Sequence, residues 1–263
     1  PLKNIRFQYV TVAFIAACVA VFLFQFTLDS REEQVFIYGF GAIPAVLFGQ
    51  TELPVALPQA PAVLTLVTSM FLHGGFMHLA GNMLFLWVLG DNVEDAMGHK
   101  RFVAFYLVCG IAAAFAHATV DPGSRIPMIG ASGAISGVIG AYLMLHPKAR
   151  IKVLISYFLV WLPAYVVLGF WIGFQFFSAA MAAGDAGGGV AWWAHIGGFI
   201  AGVALIVPMK RKNVALFDRG SWMVILIGGF MFAYGFLGLG SGHTDEGYVA
   251  FLTSMRNIGG AMA

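Results

Sequence analysis

Long apolar runs decide what this chain can fold into. They fall at about residues 9–27, 77–90, 102–120, 133–145, 153–181, 192–208 and 222–239. About twenty apolar residues cross a bilayer as a helix. In hydrocarbon a backbone must satisfy its own hydrogen bonds, which leaves helices or a closed barrel. Runs this long, without strict alternation, read as helices. The composition is 60% hydrophobic and 10% charged, which excludes a water-soluble domain of this size. The expected fold is all-α, a polytopic transmembrane bundle of seven candidate helices. Lys3 and Arg6 precede the first run as they would in a signal peptide. That run is too long for a signal core and "FQFTLDS" holds no small-x-small cleavage site, so it reads as an uncleaved first helix. Cys18 and Cys109 lie inside apolar runs and read as small buried side chains, not a disulfide framework.

Positive charge orients the bundle. With the N-terminus in the cytoplasm, Lys3, Arg6, Lys100, Arg101, Lys148, Arg150, Lys152, Lys210, Arg211, Lys212 and Arg219 lie inside, and only Arg31, Arg125 and Arg256 outside. The long connection 28–76 is then external. Its apolar patches, too short to cross, are expected to rest in the interface or on the bundle. "AAGDAGGG" before the sixth helix reads as a flexible link.

The fourth run is short. From Ser132 to Lys148 an α-helix rises roughly 24 Å, less than the hydrocarbon thickness. With Lys148 and Arg150 at the inner surface, Ser132 falls below the outer one, at a helix N-terminus with free N–H groups. The second helix opens on "HGGFMHLAGNM" and brings His73, His78 and Asn82 to its outer end. The sixth opens on "WWAHIGGFIAG" and brings His195 there too. Three helices thus carry costly polar groups to a similar depth, which marks a site. Ser132, Ser136 and Gly140 recur at four-residue spacing, as do Gly133, Gly137 and Ala141; His195, Gly198 and Gly202 share a face. Such small residues let two backbones approach, which would set His195 beside Ser132.

A serine hydroxyl becomes a nucleophile when a base within reach takes its proton, and His195 is the candidate base. The oxyanion of acyl transfer needs aimed donors. The Ser132 N–H, the Asn82 amide and the His78 imidazole are candidates, the last two being one turn apart. No carboxylate lies in an outer-half helix segment. Asp121 and Asp185 sit in outer loops, so a Ser–His dyad is expected rather than a triad. There is no H-E-x-x-H and no pair of core aspartates. "SGHTDEG" reads as a solvated loop, and His99, His117 and His146 as interfacial or capping groups.

"HGGFMHLAGN", "GASG" and "AHIGGFIAG" together resemble the three signatures of the rhomboid intramembrane serine proteases, and "LGDNVEDAMGHKRF" is similar to a further family stretch. The likeness runs from about Thr65 to Gly202. It implies Ser132 as nucleophile, His195 as general base, and His78 and Asn82, with the Ser132 N–H, as oxyanion donors. It implies a structural or water-retaining role for His73, a tight turn at Gly130 and Gly133 around the nucleophile, and packing of the sixth helix on the fourth through Gly198 and Gly202. It also implies a six-helix core plus a C-terminal seventh helix, with the core in residues 1–208 and a linker, seventh helix and tail in 209–263. The implied activity cuts single-pass membrane proteins near the outer face, at small residues followed by helix-destabilising ones. No metal or cofactor is implied. The partners are those substrates and the lipid bilayer, not nucleic acid. A bacterial inner membrane suits the short loops.

Two departures from the family pattern stand out. Many members carry Trp-Arg where this chain has Leu64 and Thr65, and some carry a tyrosine, stacked on the base, where it has Ser136. The fifth run carries Phe158, Trp161, Phe170, Trp171, Phe174, Phe176 and Phe177. In this family its helix is a lateral-gate candidate, so shrinking Phe170 or Trp171 is expected to speed cleavage.

Overall fold

A computed structural model describes residues 2–54, 57–155, 158–181, 191–218 and 226–227. Among these, six helices build the bundle: α1 (Tyr9–Thr27), α5 (Phe76–Met97), α6 (His99–Val120), α7 (Ser132–Leu145), α8 (Ala164–Met181) and α9 (Trp192–Met209). They correspond to the first six runs. Four of them, α1, α6, α8 and α9, are long and apolar enough to cross a membrane. The molecule is a helical membrane bundle.

The buried residues of α1 are Thr11, Cys18 and Gln25, seven apart, so one narrow stripe meets protein. Each makes a polar contact. The Thr11 hydroxyl donates to Glu94 at 2.6 Å, the Cys18 thiol to the Met70 carbonyl at 3.8 Å, and the Gln25 amide to the His73 carbonyl at 3.1 Å. No side chain of α1 caps its own N-terminus. Glu94, from the far end of α5, accepts from the Val10 and Thr11 N–H groups instead, at 3.0 and 2.8 Å. A carboxylate is the favoured partner of these orphan donors. Asp95 beside it accepts from the Lys3, Asn4 and Ile5 N–H groups. These bonds account for α5 running to Met97, beyond residue 90 where the apolar pattern stops.

The connection 28–76 folds into α2 (Ser30–Phe40), α3 (Pro44–Leu47), α4 (Ala62–Thr68) and a 3-10 turn (Ser69–Phe71). Asp29 and Glu32 form a capping box on α2. The α4 segment and the turn meet α5 at 85°, so this apolar stretch lies across the bundle rather than along it. The layer is anchored without Trp-Arg. Leu64 is exposed, while Thr65 is buried and bonds the Ala62 carbonyl at 2.5 Å. The Thr68 hydroxyl donates to the Phe40 carbonyl at 2.6 Å. Ala42 and Met128 exchange two backbone bonds, at 3.0 and 2.8 Å, which ties the layer to the segment leading into α7.

Helix α7 lies at the centre, against α9, α6, α5 and α8, and every residue from Gly133 to Tyr142 is buried. The fifth run is not one helix. Its first part lies in a hairpin of β1 (Arg150–Ile155) and β2 (Phe158–Pro163), and α8 begins only at Ala164. The expectation of a helix from residue 153 is corrected for two reasons. Pro163 breaks an α-helix from within. A short apolar run of β-branched and aromatic residues also suits a strand as well as a buried helix. The hairpin occupies the end of the bundle where α7 finishes, remote from Ser132. Of the seventh run, 222–239, only Leu226–Ile227 is described, as a strand beside Lys152 and Val153; the rest, with the whole "AAGDAGGG" link, Asp185 in it, and the tail, lies outside the described residues.

Candidate active site

Ser132 opens α7 and His195 stands in the first turn of α9. Distant by 63 positions, they meet with Nε2 of His195 2.9 Å from Oγ of Ser132. The helix contact makes this approach possible. A Cβ on Gly198 would strike the Gly133 carbonyl, and one on Gly202 the Gly137 carbonyl. One on Gly140 would lie 2.6 Å from the Phe199 carbonyl, and one on Gly133 2.6 Å from Cβ of Ala113. Glycine at these positions lets the backbones touch.

The turn into Ser132 is shaped by Gly130. Its φ of 119° lies in the region side chains avoid, and its N–H donates to the Ser69 carbonyl at 2.8 Å. A Cβ there would sit 2.8 Å from Cε1 and Nε2 of His78 and 3.7 Å from Nδ2 of Asn82. Both α5 side chains therefore face the backbone just ahead of Ser132. The Gly74 N–H donates to Nδ1 of His78 at 3.4 Å, which leaves the ring proton on Nε2, the nitrogen turned to the turn. Nδ2 of Asn82 is buried and has no protein acceptor among the described residues. His73 is fully buried, and its ring lies edge-on to His78 at 5.2 Å. Its backbone is clamped by Gln25, which accepts from the His73 N–H at 3.1 Å and donates to its carbonyl.

Sequence reasoning missed the partner on the other side of the imidazole. Oε1 of Gln175, on α8, lies 2.7 Å from Nδ1 of His195. Gln175 is fully buried, and Trp171, one turn earlier, sets its ring 5.7 Å from the imidazole, tilted by 42°. The signal was one amide inside the aromatic run "FWIGFQFF", a polar group that hydrocarbon does not tolerate without a role. Of the carboxylates weighed for this position, Asp121 is exposed at the end of α6. Ser136, one of the departures from the family pattern, donates to the Ser132 carbonyl at 2.6 Å. Among the described residues, no three His, Cys, Asp or Glu side chains are grouped to hold a metal ion.

Comparison with known proteins agrees with this architecture. The Rhomboid domain matches residues 60–212. The chain is 29% identical over 195 residues to the mitochondrial Rhomboid protein 1 of Saccharomyces cerevisiae, covering 68% of this chain and 54% of that protein. It is 36% identical over 172 residues to Rhomboid protease GluP of Bacillus subtilis, covering 65% of this chain and 31% of that protein. It is 30% identical over 146 residues to the human mitochondrial presenilin-associated rhomboid-like protein, covering 52% of this chain and 36% of that protein. The chain thus spans about half the length of the yeast relative and about a third of the other two. It is an integral membrane protein, and it belongs to the rhomboid family.

Proposed function

We propose that this protein is an intramembrane serine endopeptidase in which Ser132 and His195 form the catalytic dyad. The observation that carries the reading is the 2.9 Å approach of Oγ of Ser132 to Nε2 of His195, made by two helices that share no sequence neighbourhood. Nε2 takes the hydroxyl proton as Oγ bonds to the scissile carbonyl carbon. The carbonyl oxygen becomes an oxyanion, met by the Ser132 N–H, the Asn82 amide and Nε2–H of His78. Collapse breaks the C–N bond, and His195 returns its proton to the leaving amine. Water then attacks the acyl-serine carbonyl as His195 takes one of its protons; collapse breaks the C–O bond, His195 returns that proton to Oγ, and the acid product leaves.

The position of the dyad near one end of the bundle supports a substrate class. A strand of a membrane protein, unwound from its own helix, offers its carbonyl below the lipid headgroups. A cavity of about 40 Å³ beside Ser132, walled by Met70, Gly110, Ala113, Gly133 and Ala194, favours a small side chain before the cut. Residues 1–208 form the catalytic unit and 209–263 an appended segment. The abundance of Lys and Arg at the end opposite Ser132 supports a cytoplasmic N-terminus and a site toward the outer face, in keeping with a bacterial inner membrane. The Bacillus relative is named a protease, which favours this reading over a silent binder of membrane proteins.

The test is covalent labelling in detergent with a serine-directed phosphonate, alongside cleavage of a reconstituted single-pass substrate. The wild type labels and cleaves; Ser132→Ala does neither, and His195→Ala labels poorly. Labelling that survives Ser132→Ala ends the reading.

A further inference from the structure

The imidazole of His195 is gripped from both sides, and we propose that Gln175 is the positioning residue that decides which of its nitrogens carries the proton. The inference rests on the dyad reading above. For Nε2 to accept a proton from Ser132 it must be bare, so the ring hydrogen must stand on Nδ1. A buried N–H needs an acceptor. Oε1 of Gln175 supplies that acceptor at 2.7 Å.

An amide has two faces, and only one of them gives a competent base. Turned over, its NH₂ would face Nδ1 and call for a lone pair there, driving the proton onto Nε2 and leaving Ser132 without a base. The second bond of Gln175 opposes that flip. Its Nε2–H donates to the Trp171 carbonyl at 3.4 Å, and a flipped amide would set two oxygens against each other. Trp171 thus acts twice, with its carbonyl on the amide and its ring beside the imidazole. The arrangement orients the base without a charge. A carboxylate in this position would carry the desolvation cost of a buried ion. Because Gln175 rides on α8, the base is set only while that helix is seated against α9.

Two variants of the full chain in detergent separate positioning from packing. Gln175→Met keeps the volume and loses the acceptor; Gln175→Glu keeps an acceptor toward Nδ1 and loses the donor to Trp171. Gln175→Met is expected to lower kcat on a transmembrane substrate by about 10²-fold with KM unchanged, and Gln175→Glu to restore most of that loss. Wild-type kcat in Gln175→Met, or a Gln175→Glu variant as slow as Gln175→Met, overturns the proposal. A measurement on the wild type needs no variant at this position to fold. In nitrogen-15 histidine spectra, the His195 signals, identified by their loss in His195→Ala, should show a proton on Nδ1 and none on Nε2. The opposite tautomer overturns the proposal. Undiminished cleavage by Ser132→Ala would remove the dyad and this role together, whereas a dead Ser132→Ala beside an unaffected Gln175→Met would remove only Gln175.

Discussion

Asn82 carries a buried amide nitrogen beside the turn into Ser132. Its Nδ2 is buried and without a protein acceptor among the described residues. Leaving such a group unmet costs about 1–3 kcal/mol. In the proposed reaction the debt is settled only when an oxyanion arrives, so the stabilisation falls on the transition state and not on bound substrate. Asn82→Ala is therefore expected to lower kcat by about 10²-fold, with KM little changed and thermal stability in detergent undiminished. Steady-state kinetics and a melting curve on the same preparation check both halves. The sequence marks Ser132, His78, Asn82 and His195 because polar side chains in apolar runs are expensive and these four have recognisable chemistry. Gln25 and Gln175 are as expensive and as well marked. An amide suits many roles, however, so only contacts reveal that one clamps the His73 backbone and the other faces the imidazole.

Between elements, the meeting of α7 and α9 governs the rest. Gly202→Ala would drive a methyl into the Gly137 carbonyl, and backbone cannot rotate away as a side chain can. The expected loss is about 1–3 kcal/mol of stability, with phosphonate labelling slowed as Ser132 and His195 part. Gly81→Ala on α5 is the control, since nothing lies within 4 Å of the added carbon. The small-residue spacing makes this contact legible, because its period is that of a helix. The hairpin before α8 is not legible in the same way. Its second strand is apolar at every position although its first four residues are exposed, so the sequence lacks the alternation that distinguishes strand from helix, and Pro163 is the one local cue. The structure also separates two aromatics that the sequence treats alike. Phe170 is 62% exposed, whereas Trp171 faces His195. Phe170→Ala is expected to speed cleavage of a bilayer-embedded substrate by freeing the flank of α8. Trp171→Ala is expected to slow it by loosening the imidazole. Initial rates in proteoliposomes distinguish the two, and equal rates for both variants would remove the distinction.

Across the whole molecule, the six helices and their order are legible in hydropathy. The layer formed by residues 28–76 is foreshadowed only as short apolar patches, because its position depends on backbone bonds such as those between Ala42 and Met128. The latch of Glu94 and Asp95 on the first residues is likewise hidden, since sequence distance says nothing of which carboxylate will find which amide. With 14 residues, α7 rises about 21 Å in a slab about 30 Å deep. Its 22-residue neighbour α6 continues past it. The shortfall acts as a depth gauge for the proposed activity. A polypeptide entering from the side is cut where its carbonyl reaches the level of the stunted helix end, at a bond there that a small side chain precedes. Sliding a substrate's apolar stretch by one helical turn relative to its flanking charges should move the scissile bond by about a turn, which mass spectrometry of the products would reveal. A cut that stayed with one motif would show that lettering, not altitude, chooses the bond.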